Sequence, residues 1–144
     1  MLHVQDLMST NLFTLKKSDS LMAAKSLMEL ARIRHIPVVE KDDVFVGILT
    51  HRDILSSTLS KLADVEKDVQ DEIEASIPVS EIMRDDVIAV DPKTKLRDAA
   101  ELLLNHKYGC LPVVEKDKLV GIITEADFLR LTIQLMDALD DDEF

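Results

Sequence analysis

Two short motifs in this sequence place a hydroxyl group and a carboxylate at the same spacing. Thr50 and Asp53 form one T-x-x-D motif, and Thr124 and Asp127 form the other. Each motif follows an apolar, β-branched run, so each is expected where a strand passes into a helix. There the pair can cap the helix, because the hydroxyl accepts a hydrogen bond from an early helix N–H and the carboxylate is favoured by the positive end of the helix dipole.

The same groups are also suited to binding a nucleotide. A helix N-terminus offers unpaired N–H donors to a phosphate, and a carboxylate can accept two hydrogen bonds from the vicinal hydroxyls of a ribose. Gly47 and Gly121 interrupt the strand patterns just before the motifs, where glycine indicates that something approaches the backbone closely. The occurrence of the motif at two matched positions favours the nucleotide interpretation, and capping remains the alternative.

Both motifs belong to an internal repeat. The hexapeptide Pro-Val-Val-Glu-Lys-Asp occupies residues 37–42 and again residues 112–117, and each copy leads into a Val-Gly pair and then the T-x-x-D motif. A single one-residue gap, in the turn after the hexapeptide, brings residues 4–55 and 79–129 into register. The chain therefore uses one small unit twice.

The pattern of each copy predicts the order strand, helix, strand, strand, helix. The predicted fold class is therefore mixed α/β (α+β). The predicted strands are residues 12–15, 36–39 and 44–49 in the first copy and residues 87–90, 111–114 and 119–123 in the second. A unit of about 55 residues is marginally stable alone, so the two copies are expected to bury their apolar faces against each other.

The pattern divides the chain into four segments. We expect a first repeat (1–56), a helical connector (57–76), a second repeat (77–131) and an acidic tail (132–144). The apolar spacing through the connector predicts that the closing helix of the first repeat continues to about Ala75 and ends before Pro78. We expect this apolar stripe to pack on the chain's own sheets rather than on another subunit. Its members are Leu55, Leu59, Leu62, Val65, Val69 and Ile73.

The charge of the chain disfavours nucleic acid as a partner. The net charge is −11 at pH 7, and no block of the sequence is basic, since residues 1–56 are neutral overall and the tail, 132–144, carries −5. Binding of phosphate backbones needs a basic face, so we expect no nucleic-acid binding. The tail is expected to be a solvated end rather than a docking segment for a basic partner.

The sequence shows no membrane or secretion signal. It contains no run of 18 apolar residues, and its first residues lack the basic start and apolar core of a secretory signal. Cys110 is the only cysteine, so an internal disulfide cannot form. We therefore expect a cytoplasmic protein.

Catalytic and metal sites are not indicated by residue spacing. His3, His35, His51 and His106, together with Cys110, show no metal-ligand pattern. No base is nominated to activate Cys110 as a nucleophile, and neither a Walker-type glycine-rich loop nor a carboxylate cluster supports nucleotide hydrolysis. We expect no metal, no required cofactor and no enzymatic activity.

The duplicated motifs resemble the cystathionine-β-synthase (CBS) domain pair, also called a Bateman module. The resemblance rests on an apolar residue before Pro-Val-Val and on V-G-x-x-T-x-x-D, placed twice in the same order, and it extends from Val4 to Leu131. It implies two β-α-β-β-α repeats packed with pseudo-twofold symmetry around two clefts. In that family the clefts commonly bind AMP, ADP, ATP or S-adenosylmethionine.

The resemblance also implies which residues bind the ligand. The T-x-x-D motif of one repeat would face the pre-proline residues of the other, with the acid on the ribose, the threonine on a phosphate or sugar oxygen, and the pre-proline backbone on the adenine edge. The first cleft would combine Thr50, His51, Arg52 and Asp53 with Tyr108, Gly109, Cys110 and Leu111. The second would combine Thr124 and Asp127 with Thr14, Ile33, Arg34, His35 and Ile36.

The two clefts are not expected to be equivalent. Glu125 and Ala126 stand where the first copy has His51 and Arg52. Cations beside a helix N-terminus favour additional negative charge, so we expect the Asp53 cleft to prefer ligands with more phosphates.

The function implied by the resemblance is that of a non-catalytic regulatory module. It would sense adenosine nucleotides, form a homodimer, and signal to a separate protein that the sequence does not identify. The alternative is a ligand-free structural or dimerisation scaffold, in which the T-x-x-D motifs only cap helices.

Overall fold

The computed structural model describes residues 1–62, 66–107 and 109–141, with backbone only for 58–62. The helices are α1 (Leu21–Ala31), α2 (His51–Leu62), α3 (Lys67–Ser76), α4 (Leu96–His106) and α5 (Glu125–Asp141). The strands are β1 (Leu15–Lys16), β2 (His35–Val39), β3 (Phe45–Thr50), β4 (Cys110–Glu115) and β5 (Lys118–Thr124). Short 3-10 turns lie at Val4–Asp6, Lys41–Asp43 and Val79–Glu81. The predicted α/β fold class is confirmed.

One compact unit consists of Phe13–Val87. Its sheet has the order β1-β2-β3, with β1 parallel and β3 antiparallel to β2. The α1 helix begins at a clear capping signal, because the Ser20 hydroxyl accepts a hydrogen bond from the N–H of Ala23 at 3.1 Å. The core of this unit is formed by Leu15, Leu21, Ala24, Met28, Ile36, Val38, Leu49, Ile54 and Val79.

The other compact unit consists of Met1–Leu12 together with Ile88–Phe144. Its strands β4 and β5 form an antiparallel hairpin. The turn between them is tight because Lys116 and Asp117 both adopt positive φ, of 51° and 67°. The core of this unit is formed by Val4, Val90, Leu96, Ala99, Leu103, Leu111, Val113 and Ile123.

Each unit includes the segment that leads into the other sequence repeat. In the first unit, the backbone of Arg84 exchanges two hydrogen bonds with Ile48 of β3, at 2.8 and 2.9 Å. In the second, the backbone of Ser9 exchanges two with Ile122 of β5, at 2.9 and 3.0 Å. Ser9 and Arg84 hold matched positions in the repeat, so both copies use the same device.

This pairing explains the two glycines within the strands. A Cβ atom on Gly47 would lie 2.6 Å from the carbonyl oxygen of Arg84, and one on Gly121 would lie 2.6 Å from the sulfur of Met8. Glycine at these two positions predicted that some group approaches the backbone closely, and this was interpreted as support for a bound ligand. In the structure the approaching group is the chain itself, so the glycines give no support to a ligand.

The first strand of each repeat is shorter than predicted. Residues 12–15 were expected to form a strand, but the ladder contains only Leu15 and Lys16, and the predicted strand 87–90 is reduced to a single bridge from Val90 to Val113. Val90 donates to the carbonyl of Pro112 and accepts from Val114. Extension towards the N-terminus would need an N–H on Pro112, which proline lacks.

The connector is not one continuous helix, and that prediction is wrong. Glu66 is extended (φ −61°, ψ 150°) and precedes α3 as a separate helix, which packs on α1. The predicted burial of the apolar stripe on the sheets is also wrong for Leu55 and Val69, which are 44% and 45% exposed. Val65 and the side chains of Leu59 and Leu62 lie outside the described residues.

An ion pair between a half-exposed lysine and a buried glutamate joins α3 to α1. Glu74 is 2% exposed, and its carboxylate accepts hydrogen bonds from the Lys25 ammonium on α1 at 2.8 Å and from the Gln70 side chain at 3.3 Å. A buried carboxylate is tolerated only when it is paired in this way. No helix in the described part of the chain has the length and apolar character needed to cross a membrane.

Candidate functional site

Both T-x-x-D motifs lie at the junction of a strand and a helix, as predicted. Thr50 ends β3 and Asp53 is in the first turn of α2, while Thr124 ends β5 and Asp127 is in the first turn of α5. In each copy the threonine hydroxyl accepts a hydrogen bond from the aspartate N–H, at 3.1 Å for Thr50 and 3.3 Å for Thr124. The capping interpretation is therefore confirmed for the threonines.

The Asp127 carboxylate completes a capping box. Its Oδ2 atom accepts hydrogen bonds from the Thr124 N–H at 2.8 Å and from the Thr124 hydroxyl at 3.2 Å. Its Oδ1 atom accepts one from the Arg130 guanidinium at 2.7 Å, one helical turn further along α5. Both oxygens of this carboxylate therefore have donors.

The Asp53 carboxylate is arranged differently. Its side chain is 10% exposed, and its Oδ1 atom accepts a hydrogen bond from Nε of Arg84 at 2.9 Å. Its Oδ2 atom is buried and has no hydrogen-bond partner among the described residues. An unpaired oxygen on a buried, charged group costs stability unless a ligand or water satisfies it. Asp53 at the N-terminus of α2 is therefore the strongest candidate for a ligand contact.

The pre-proline residues lie beside the T-x-x-D motif of their own repeat. His35 pairs with Thr50 across β2 and β3, and the Arg34 carbonyl accepts from the His51 N–H at 2.9 Å. In the second copy Cys110 pairs with Thr124, and the Gly109 carbonyl accepts from the Glu125 N–H at 3.1 Å. The pairing of each motif with the other repeat stays a prediction.

Several predicted residues have side chains that cannot face a ligand. Ile36, Leu111 and Cys110 are 0%, 0% and 1% exposed and belong to the hydrophobic interior, so they are restricted to backbone contacts, as the resemblance implied. Thr14 is exposed and precedes β1. Tyr108 lies outside the described residues.

A cleft of about 470 Å³ lies beside the first turn of α2. His51 lines this cleft, together with Arg34 and Ile33 from the segment that leads into β2. Arg52 is exposed and is not among the residues that line the cleft. The other lining residues are Lys25, Met28, Glu29, Arg32, Ile54 and Leu55. Apolar side chains form part of its lining, and cations outnumber anions there, which suits an anion attached to an apolar group.

The arginines that donate to the two T-x-x-D carboxylates, Arg84 and Arg130, were not predicted from the sequence. Arg130 follows Asp127 by three residues on one helix, and this spacing is a known pairing distance that could have identified it. Arg84 is 31 residues from Asp53, and no local pattern connects them.

Cys110 is not an activated thiol. Burial, and secondarily the negative charge of Glu125, raise the pKa of Cys110 from 9.0 to about 12. A nucleophilic cysteine needs a lowered pKa, so the environment of this thiol opposes reactivity. Within the described residues no group of three or more His, Cys, Asp or Glu side chains could hold a metal ion.

Comparison with known proteins decides the family. The model of the CBS domain matches residues 4–60 and 79–133, which covers both repeats. This chain belongs to the CBS-domain family. The two matches also include both T-x-x-D motifs and both pre-proline segments described above.

Solved structures of CBS-domain proteins share this fold over nearly the whole chain. A putative acetoin utilization protein, AcuB, from Vibrio cholerae has 37% sequence identity and a TM-score of 0.82, over 98% of this chain and 97% of that one. CBSX2 from Arabidopsis thaliana, solved in complex with AMP, has 29% identity and a TM-score of 0.79, over 94% and 99% of the two chains. The CBS domain pair of protein MJ0100, solved with 5-methylthioadenosine and S-adenosyl-L-methionine, has 26% identity and a TM-score of 0.75, over 92% and 96%.

Proposed function

We propose that this protein is a non-catalytic regulatory module that binds adenosine nucleotides at its T-x-x-D motifs and signals to a separate protein. The observation that carries the proposal is the buried Oδ2 atom of Asp53 at the N-terminus of α2, for which the described residues provide no hydrogen-bond donor. A ribose hydroxyl could donate to this oxygen, and the helix N-terminus favours a nearby phosphate.

The ligand class is supported by two relatives. CBSX2 was solved with AMP, and the MJ0100 domain pair with two adenosine derivatives. All three compounds share the adenosine group and differ in what is attached to its 5′ carbon. We propose that adenosine is the common recognition element for this chain too, and that the pre-proline backbone at Arg34–Ile36 and Gly109–Leu111 recognises the adenine edge.

A regulatory role requires that the ligand changes an equilibrium. A ligand transmits a signal only if its affinity differs between two arrangements of the protein. We propose that an adenosine ligand which contacts both repeats stabilises one arrangement of them. The protein would act as a homodimer in the cytoplasm, and the adenosine nucleotide would be a regulatory ligand rather than a cofactor.

Calorimetry on protein stripped of bound nucleotide tests the ligand class. AMP, ATP and S-adenosylmethionine should release or absorb heat on binding, and GTP should bind more weakly. A ligand at 100 times its dissociation constant should also add about 2.7 kcal/mol to the free energy of unfolding. Absence of binding by every adenosine compound would contradict the proposal.

A ligand-free scaffold is the second candidate function. The complete capping box of Asp127 favours it, because that carboxylate already has donors on both oxygens. In a scaffold, Asp53→Asn and Asp127→Asn would change stability alone. In the proposed regulatory module, Asp53→Asn should also remove one binding event.

A further inference from the structure

Arg84 is the residue that most clearly separates the two T-x-x-D sites. Its Nε atom donates to Oδ1 of Asp53 at 2.9 Å, while its side chain remains 47% exposed. Within the described residues, no hydrogen bond comes from its two terminal nitrogens. A guanidinium has five N–H donors, so most of those of Arg84 are available to a ligand.

The backbone of Arg84 is paired with a strand, and this pairing positions the side chain beside Asp53. Two hydrogen bonds join it to Ile48 of β3, and the missing side chain of Gly47 allows this close approach. This pairing sets the backbone position of Arg84, and its guanidinium lies beside Asp53.

The matched position in the other copy carries no charge. Ser9 makes the same backbone pairing with Ile122 that Arg84 makes with Ile48. Asp127 receives its arginine from Arg130 on its own helix, where the first copy has Ser56. The two carboxylates therefore obtain their counterions from different parts of the chain.

We infer that Arg84 makes the Asp53 site selective for phosphorylated nucleosides over nucleosides. The inference rests on the proposed function, in which Asp53 holds the ribose. Each carboxylate oxygen can accept more than one hydrogen bond, so Arg84 can stay beside Asp53 while the ribose hydroxyls bind there. The phosphate of a nucleotide would then accept charge-assisted hydrogen bonds from the terminal nitrogens of Arg84, whereas an uncharged nucleoside offers them no anion.

The inference predicts unequal effects on two ligands. Arg84→Ser, which copies Ser9, removes the phosphate partner and should weaken AMP binding. It should change adenosine binding little, because adenosine carries no phosphate. The ratio of adenosine to AMP dissociation constants at the Asp53 site should fall by about tenfold.

The test is isothermal titration of adenosine and of AMP into stripped protein, with Asp53→Asn identifying which binding event belongs to Asp53. Arg130→Ser is the matched control, because it should leave the ratio at that event unchanged. Arg84→Gln, which keeps a hydrogen-bond donor without the charge, serves if Arg84→Ser does not fold, and it should lower the ratio too.

Three outcomes are distinguishable. A fall in the ratio for Arg84→Ser or Arg84→Gln, without a fall for Arg130→Ser, supports the inference. An unchanged ratio with normal binding overturns the role of Arg84 and leaves the proposed function standing. Failure of the wild-type protein to bind either compound overturns the inference, and failure to bind ATP and S-adenosylmethionine as well overturns the proposed function.

Discussion

Asp53 and Asp127 hold matched positions in the repeat, but their carboxylates make different contacts. Asp127 is satisfied by Thr124 and Arg130, so it stabilises the start of α5 with no help from a ligand. Asp53 has one buried oxygen without a hydrogen-bond partner in the part of the chain that the structure describes. An identical motif therefore has two different local states. Each Oδ1 atom accepts from an arginine, but only Oδ2 of Asp127 accepts from its threonine.

Cys110 gives a prediction at the same scale. Its thiol keeps its proton up to about pH 12 in the folded protein, whereas the unfolded thiol loses it near 9.0. Between these values the folded state holds the extra proton, so the free energy of unfolding should fall as pH rises. The slope contributed by this group approaches about 1.4 kcal/mol per pH unit between the two pKa values, and well below pH 9 it should vanish.

Denaturant unfolding of wild type and Cys110→Ala from pH 8 to 10.5 measures this contribution. The difference in free energy of unfolding between the two proteins should shrink above pH 9, because only the wild type loses stability through the thiol. A constant difference over the whole range would contradict the raised pKa.

At the scale of elements, the pairing of Arg84 with β3 predicts unequal costs for two matched glycines. Gly47→Ala would place a Cβ atom against the Arg84 carbonyl, which the paired backbone cannot move easily. Gly121→Ala would meet the sulfur of Met8, a flexible side chain, although the Ser9 carbonyl is 3.1 Å away.

We expect Gly47→Ala to lower the free energy of unfolding by about 1–3 kcal/mol and Gly121→Ala to lower it by less. Chemical denaturation of both variants at one pH makes the comparison. Equal losses, or a greater loss for Gly121→Ala, would mean that the segments containing Arg84 and Ser9 do not pair with β3 and β5 as described above.

The docking of α3 on α1 is tested through Lys25 and Glu74. Lys25→Met leaves a buried carboxylate without its cation and should cost about 2–3 kcal/mol of unfolding free energy. The double variant Lys25→Met, Glu74→Met removes both charges, so it should recover most of that loss. A double variant no more stable than the single one would show that the pair is not the reason α3 stays docked.

At the scale of the whole molecule, α5 exposes an apolar row. Leu129, Ile133 and Met136 are 65%, 57% and 58% exposed, and their spacing of four and three places them on one face. We propose that a second copy of the chain covers this face, in line with the homodimer that the resemblance implies. Residues 132–141 of the predicted acidic tail are part of α5, and residues 142–144 lie outside the described residues.

Light scattering should give about twice the chain mass of 16.2 kDa. Ile133→Glu should lower the measured mass towards that of one chain, because it places a charge in the apolar row. Gln134→Glu adds the same charge at the neighbouring exposed position and should leave the mass unchanged. A wild-type protein that scatters as a single chain at all concentrations refutes the homodimer.

How the repeats combine to bind a ligand is tested through Tyr108, the only tyrosine in a chain without tryptophan. We expect its fluorescence to respond to AMP, and Asp53→Ala to abolish the response while Asp127→Ala preserves it. The reverse result would mean that each T-x-x-D motif works with the pre-proline residues of its own repeat. A response that survives both changes would mean that neither carboxylate holds the ribose.

The sequence by itself determined the repeat, the β-hairpin and the two flanking helices of each copy, and the position of both T-x-x-D motifs at a strand–helix junction. These features depend on residue periodicity and on contacts within a few positions, such as Thr50 to Asp53. Such short-range patterns are visible in a single chain because the backbone geometry of strands and helices fixes them.

Only the tertiary structure decided what surrounds the motifs. The pairing of Arg84 with Asp53 spans 31 residues, and the contact of Lys25 with Glu74 spans 49. The group that approaches Gly47 and the break between α2 and α3 at Glu66 also follow from packing between distant segments. No local pattern encodes such contacts, because they arise when segments remote in sequence meet to bury a shared core.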